Sequence, residues 1–226
     1  ETLTWSRYRA LARQVARGFM ALGLGPRQGV AILGGNRPEW FLSDLGAILA
    51  GGVPAGVYQT SSPDQFQYIT HHCEAAIAVI ENPEQLARLE SVRARLPLLK
   101  AIVLMEGHAE SAGVVGWDAL LERASEVTDA ELQARIDAQK AEDLATLIYT
   151  SGTTGPPKAV MLSHHNITWT AEALAAQVSR WSFGPGDSVV SYLPLSHIAE
   201  QVVSLHLPMQ YGGCAWCVDR LERLPD

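Results

Sequence analysis

Apolar positions along this chain follow two alternating rhythms. Over residues 6–22, Tyr8, Leu11, Ala12, Val15, Phe19 and Leu22 recur at three- and four-residue steps, the spacing of one helix face. Ser6 is placed to cap that helix, and Gly23, Gly25 and Pro26 end it. Residues 30–33 are a short apolar run behind a turn, read as a buried strand. Asn36 as cap and Pro38 in the first turn open a second helix. It runs to about Ala50 and is apolar nearly all round, so it is buried. The alternation goes on: strand 53–57, a helix from Ser62-Pro63-Asp64 to about Cys73, strand 76–80, a charged surface helix over 82–96, and strand 101–105. Short strands separated by helices predict an α/β fold: a mostly parallel sheet covered by helices, with right-handed crossovers. Residues 106–140 are more polar, carry helices near 117–123 and 129–138, and read as a link between subdomains. The chain therefore divides into a first α/β subdomain region, 1–140, and a second region, 141–226.

Composition narrows the class. The 226 residues, 47% hydrophobic and 18% charged, suit a globular chain with a sizeable core. Lys and Arg number 17 against 24 Asp and Glu, a net charge of −7, which argues against a nucleic-acid groove. A local anion site is still open. Three cysteines (Cys73, Cys214 and Cys217) are too few for a disulfide framework, so a reducing, cytoplasmic setting is expected. Residues 1–20 spread Arg7, Arg9, Arg13 and Arg17 through an amphipathic pattern, unlike a secretory leader. The longest apolar stretch, 41–57, is broken by Asp44 and Pro54 and falls short of the roughly 20 residues of a membrane span. Membrane association through a peripheral surface stays open.

The chemistry concentrates after a strand over 144–150. Ser151-Gly152-Thr153-Thr154-Gly155-Pro156-Pro157-Lys158 follows, then a strand over 159–162 and a helix capped by Ser163 or Asn166 and running to about Val178. Gly152 and Gly155 let backbone N–H groups approach a ligand closely, and successive N–H groups in a tight loop make an anion nest. Thr150, Ser151, Thr153 and Thr154 add four hydroxyls, and Lys158 adds a cation. Donors plus a cation describe a phosphate cradle. An ordinary Gly/Ser/Thr turn is the plain alternative, and the setting between two apolar strands weighs against it. The string is not a Walker A loop, which needs G-x-x-x-x-G-K-[ST] opening a helix.

The run from Tyr149 to His164, YTSGTTGPPKAVMLSH, closely resembles the phosphate-loop motif of the adenylate-forming superfamily: acyl-CoA synthetases, luciferases and peptide-synthetase adenylation domains. SYLPLSHIAEQ, from Ser191 to Gln201, is similar to the LPLxH segment of that family. Its wording, with HNITWT at 165–170, is most similar to the long-chain and very-long-chain "bubblegum" branch of acyl-CoA synthetases. LTWSRY, GVAILGGNRPEW and GAILAGGVPAGVYQTSSPDQ come in the family's order, so the resemblance covers nearly the whole chain. It implies the N-terminal subdomains of the adenylate-forming fold. It also implies ATP and Mg²⁺-dependent conversion of a fatty acid to an acyl-adenylate, then transfer to coenzyme A. By carry-over, Thr150, Ser151, Gly152, Thr153, Thr154 and Gly155 hold the β- and γ-phosphates, and Thr150 aligns with a Mg²⁺ ligand. Lys158 neutralises phosphate charge, and His197 lines the pocket near the acyl carboxylate and α-phosphate.

Two positions depart from the pattern. Ala159 stands where the family usually has Gly, and Gln201 where some long-chain members carry a gating Trp. The later motifs, for adenine and ribose, an acidic Mg²⁺ ligand and a C-terminal catalytic lysine, are not found before Asp226. The chain is therefore expected to be the N-terminal part of a longer synthetase, inactive alone. Alternatives are another acid (short, aromatic, or destined for a carrier-protein thiol) or a non-catalytic nucleotide- or partner-binding module.

Other tempting residues read more simply. His71-His72-Cys73 lies at a helix end, where adjacent residues point about 100° apart, so one ion does not take all three. Cys214-Ala-Trp-Cys217 lies in a strand-like run, where i and i+3 face opposite sides, and no second pair exists. His164 and His165 precede a helix. Alternation keeps Ser196 and His197 from forming a dyad, and no G-x-S-x-G elbow occurs.

Overall fold

In a computed structural model, which describes residues 2–108, 111–150, 155–178 and 184–218, seven strands build one sheet. They are β1 (Gly29–Leu33), β2 (Val53–Val57), β3 (Ala75–Ile80), β4 (Ala101–Leu104), β5 (Val114–Gly116), β6 (Leu144–Thr150) and β7 (Lys158–Ser163). Their order is β5-β4-β3-β1-β2-β6-β7, and every pairing is parallel except the β6–β7 hairpin. The five residues of β1 and of β2 and the six of β3 are all buried. Continuous apolar runs rather than alternation are what a sheet covered on both faces requires.

Within β1 the period of two sorts side chains between two cores. Val30 and Ile32 face a core made by α1 (Trp5–Ala21), α2 (Pro38–Leu49), α5 (Trp117–Arg123) and α6 (Asp129–Asp137). Ala31 and Leu33 face a second core closed by Phe66 and Ile69 of α3 (Pro63–His72) and Leu86 and Leu89 of α4 (Pro83–Glu90). Phe19 of α1 and Trp40 of α2 are sealed in the first core, where a large apolar side chain contributes roughly 2–3 kcal/mol by leaving water. The chain leaves β1 across the first face and β3 across the second. Their carboxyl ends therefore diverge, and such switch points open crevices in doubly wound sheets.

Local signals explain most boundaries, and four differ from expectation. Thr4, not Ser6, caps α1 by accepting from the Arg7 N–H; the helix starts one residue early because Trp5 packs edge-on against Tyr8. Asn36 does not cap α2: Arg37 holds the cap position with no side-chain capping bond, and Pro38 follows at the first turn. The span 82–96 is not one surface helix. Asn82 caps α4, the chain then tightens into a 3₁₀ turn at Arg93–Arg95, and Leu86, Leu89, Val92 and Leu96 are buried. Residues 106–140, expected as a link, instead complete the layers. Val114–Gly116 extends the sheet beside β4, and Leu120 and Leu132 sink into the first core. Gly18 permits that docking, since a Cβ there would lie 2.5 Å from the Leu120 carbonyl oxygen. The sheet continues past residue 140 because β6 pairs with β2 at Ala55 and Leu147.

Ser62 and Gln65 form a reciprocal capping box at α3. At α7 (His164–Val178) both expected residues take part: Ser163 Oγ accepts from the Asn166 N–H, and Asn166 Oδ1 accepts from the Ser163 N–H. β7 is one of the two outer strands of the sheet among the described residues, with Val160 45% and Met161 69% exposed. A second, two-stranded parallel sheet pairs β8 (Ser188–Ser191) with β9 (Cys214–Cys217). Between them run α8 (Ile198–Gln201), a π turn at Val202–His206 and α9 (Leu207–Tyr211).

Candidate functional site

The β6–β7 hairpin brings Thr150 and Lys158 face to face. Register runs from Leu147–Met161 through Tyr149–Ala159 to Thr150–Lys158, and directly opposite residues of an antiparallel pair project to the same side. Both are exposed, so a hydroxyl and an ammonium flank the mouth of the connecting loop. Gly155 sits at φ +98°, with nothing within 4 Å of where a Cβ would stand; it is the backbone angle, not space, that requires glycine there. Ser151, Gly152, Thr153 and Thr154, four of the expected phosphate contacts, lie outside the described residues.

The stem of this loop is held from the α3 side. Tyr149 is buried, and its OH lies 2.8 Å from His72 Nδ1 at the end of α3. His72 stacks in turn against Tyr68. Burial, with the Cys73 thiol nearby, pushes the Tyr149 hydroxyl well above its usual range, so it stays protonated. Ala159, the departure from Gly, is half-buried opposite Tyr149 and packs against the second core. Its methyl fills space in a regular strand without distorting the hairpin.

His197 stands apart from this pair; among the described residues no hydrogen bond joins it to Thr150 or Lys158. It is the N-cap of α8, exposed, with Nδ1 accepting from the Ala199 N–H at 3.2 Å. With Nδ1 so engaged, the proton of the neutral ring sits on Nε2, which leaves a donor free to face a ligand. Its neighbours Pro194 and Ser196 line a cleft of about 1200 Å³ that opens at the carboxyl ends of β1 and β2. Tyr8, Phe41, Leu205 and Trp216 give that cleft apolar walls.

Residues that sequence reasoning passes over organise the cleft. At the β1/β3 divergence, Glu81 accepts from the Gly35 N–H at 3.0 Å and from Gln59 Nε2 at 2.8 Å. Arg37 bridges Glu39 and Glu106, each at 2.7 Å, with Glu81 at 3.7 Å, and these bonds hold its guanidinium more firmly protonated. On the α8 side, Glu200 is buried, accepting from the Tyr192 N–H and from Ser204 Oγ. Burial, with Glu200 nearby, pushes the Cys217 thiol up to about 11. Cys73, Cys214 and Cys217 are all free thiols. Among the described residues no group of three His, Cys, Asp or Glu side chains is arranged to hold a metal ion, and none of the described helices is long and apolar enough to cross a membrane.

The profile of the family described as "AMP-binding enzyme" matches residues 1–226. Long-chain-fatty-acid–CoA ligase ACSBG2 of Xenopus laevis is 43% identical over 217 residues, covering 95% of this chain and 29% of that protein. Long-chain-fatty-acid–CoA ligase ACSBG1 of Homo sapiens is 43% identical over 216 residues, covering 94% and 30%. The chain thus spans about 30% of the length of the curated relatives it matches. Among solved structures, the anthranilate CoA ligase AuaEII in complex with anthranoyl-AMP superposes with a TM-score of 0.83 at 22% identity, over 97% of this chain and 40% of that one. ATP-bound MatB from Rhodopseudomonas palustris superposes at 0.74 with 25% identity, over 96% and 40%.

Proposed function

The chain belongs to the AMP-binding enzyme family, and from that premise we propose that it serves the ATP-dependent activation of a long-chain fatty acid to its acyl-CoA. The observation that carries the reading is the pairing of Thr150 with Lys158 across the hairpin mouth, which puts a hydroxyl and a cation on either side of a Gly/Ser/Thr loop. The names of the relatives at 43% identity support the choice of acid and acceptor.

The reaction has two halves. A carboxylate oxygen bonds to the α-phosphorus of ATP and the bond to pyrophosphate breaks. The thiol sulfur of coenzyme A then bonds to the acyl carbon, its proton is lost, and AMP leaves. In the first half an anion must approach a polyanion. Backbone N–H groups and hydroxyls of Thr150, Ser151, Gly152, Thr153, Thr154 and Gly155, with the Lys158 ammonium, offset that repulsion where negative charge develops on the leaving pyrophosphate. His197 offers its Nε2–H to the carboxylate or an α-phosphate oxygen, held in that tautomer by its Nδ1 bond to the α8 backbone. Thr150 fits the role of a Mg²⁺ ligand in kind: its hydroxyl is a hard oxygen donor at an exposed position, suited to an ion that keeps several waters. Bound there, Mg²⁺ would add charge neutralisation. The apolar cleft supplies room for part of an acyl chain.

On this reading the 226 residues alone complete neither half-reaction. The test is acid-dependent ATP–pyrophosphate exchange by the full-length protein, with acids from acetate to very long chains. Exchange confined to long chains is expected. Exchange only with short or aromatic acids overturns the choice of acid and keeps the chemistry. No exchange with any acid overturns adenylation and favours a binding module.

A further inference from the structure

Asn36 follows β1 in a position where sequence alone makes it a helix cap, yet it caps nothing. Its carboxamide reaches instead to a segment more than 150 residues away: Nδ2 donates to Ser191 Oγ at 2.9 Å and to the Leu193 carbonyl at 2.8 Å. Both N–H bonds of the amide are used. Helix α2 begins at Pro38, and its cap position, Arg37, makes no side-chain capping bond. The residue's hydrogen bonds are therefore committed to the far segment, not to its own helix.

That segment, 191–197, links β8 to α8 and ends on His197. It is gripped from three directions. Asn36 holds Ser191 and Leu193 from the β1–α2 turn. From α8, Glu200 accepts from the Tyr192 N–H at 3.1 Å and Gln201 Nε2 donates to the Leu195 carbonyl at 2.8 Å. Gly56 of β2 lies flat against Ser196, where an added Cβ would come within 2.7 Å of the Ser196 Cα. Glu200 and Gln201 belong to the helix that His197 itself starts, so they move with it. Among the described residues, Asn36 is the polar side chain seen to tie the segment to the main sheet.

We propose that Asn36 is a positioning residue for His197, fixing the β8–α8 segment against the carboxyl end of β1 so that the imidazole faces the reacting carboxylate. The assignment rests on the function proposed above, and its test separates the two. In the full-length protein, Asn36→Ala removes both bonds, and Asn36→Asp keeps the shape while withdrawing both N–H donors. Hydrogen–deuterium exchange is read at residues 192–199, where the Ala199 N–H reports the His197 cap directly. Acid-dependent ATP–pyrophosphate exchange is read alongside. The expected result is at least tenfold faster amide exchange over 192–199 with β1 and β3 unchanged, and a kcat at least tenfold lower with KM for MgATP within twofold of wild type. Amide exchange unchanged over 192–199, or accelerated equally in β1, overturns the proposal. So does a loosened segment with unchanged kcat. If Asn36→Ala fails to fold, Ser191→Ala deletes one of the two bonds and must show the same pattern at smaller size. Absence of pyrophosphate exchange by the wild type with every acid refutes the functional reading; local loosening of 192–199 then still confirms the clamp, and its absence refutes it.

Discussion

Two ionisable groups, the buried Asp44 and the half-buried His206, oppose each other in their effect on stability. Asp44 in α2 is fully buried, with no partner for Oδ1 among the described residues, and burial pushes its carboxyl from 3.8 up to about 7. His206, at the end of the π turn, has a sealed Nε2 with no partner among the described residues, and loss of water around the ring pushes its imidazole from 6.5 down to about 4. The folded state therefore holds a proton on Asp44 that the unfolded chain releases above 3.8. Stability from this group is lost as pH rises from about 4 to 7, by about 4 kcal/mol at about 1.4 kcal/mol per unit. His206 acts in reverse. The unfolded chain takes up a proton below 6.5 that the folded state refuses, so stability is lost as pH falls from 6.5 to about 4, by about 3 kcal/mol. Between pH 4 and 6.5 the two slopes cancel. Single substitutions uncover them. Asp44→Asn leaves the histidine slope, and stability rises with pH across that window. His206→Gln leaves the aspartate slope, and stability falls. Urea unfolding followed by tryptophan fluorescence at half-unit steps from pH 4.5 to 7.5 reads both. The common background of other titrating groups drops out of the difference, so the profiles should diverge by about 3 kcal/mol per pH unit. Parallel profiles for the two variants would refute the account.

Gly29→Ala places a Cβ 2.1 Å from the Cys73 carbonyl oxygen, and overpacking of that kind costs about 2–3 kcal/mol; Gly186→Ala, with nothing within 4 Å, is the neutral control in the same urea titration. Ser62→Ala dissolves the α3 capping box and should lower stability by about 1 kcal/mol, read as a fall in urea midpoint at constant slope. Lys158→Ala in the full-length protein should lower pyrophosphate exchange at least tenfold, partly restored by Lys158→Arg; equal activity in all three would remove Lys158 from the phosphate site. Tyr149→Phe deletes the hydrogen bond to His72 at a cost of about 1 kcal/mol, and should speed amide exchange in β6 before β1.

Much of the architecture is legible because each element carries its own punctuation. Val53–Val57 and Ser62-Pro63 announce a strand and a capped helix without help from the rest of the chain. Two apolar runs around a Gly/Pro loop mark the strands on either side of it, whereas the antiparallel register that sets Thr150 opposite Lys158 is seen only in the folded chain. What escapes is set by distant partners. Val114–Gly116 is too short for a period and becomes a strand only because β4 offers an edge. Asn36-Arg37-Pro38 holds every local signal of a cap, yet the cap position falls on Arg37, and the Asn36 carboxamide turns its N–H groups to Ser191 and Leu193 instead. The Arg37 bridge needs Glu39, Glu81 and Glu106 from the ends of different elements, and no spacing along the chain marks them as neighbours. Sequence marks Gln201 only by the tryptophan it replaces, whereas its bond to the Leu195 carbonyl is what steadies the turn before His197.

The position of β7 at the rim of the sheet has a bearing on colloidal behaviour. Among the described residues it has one strand partner, β6, and its opposite row of backbone N–H and C=O groups faces outward beside the exposed Val160 and Met161. Lys158 is its one charged residue. A rim of that kind is a template for intermolecular strand addition, so the 226 residues in isolation should self-associate as their concentration rises. A gatekeeping charge such as Met161→Lys would raise their solubility limit without touching either core.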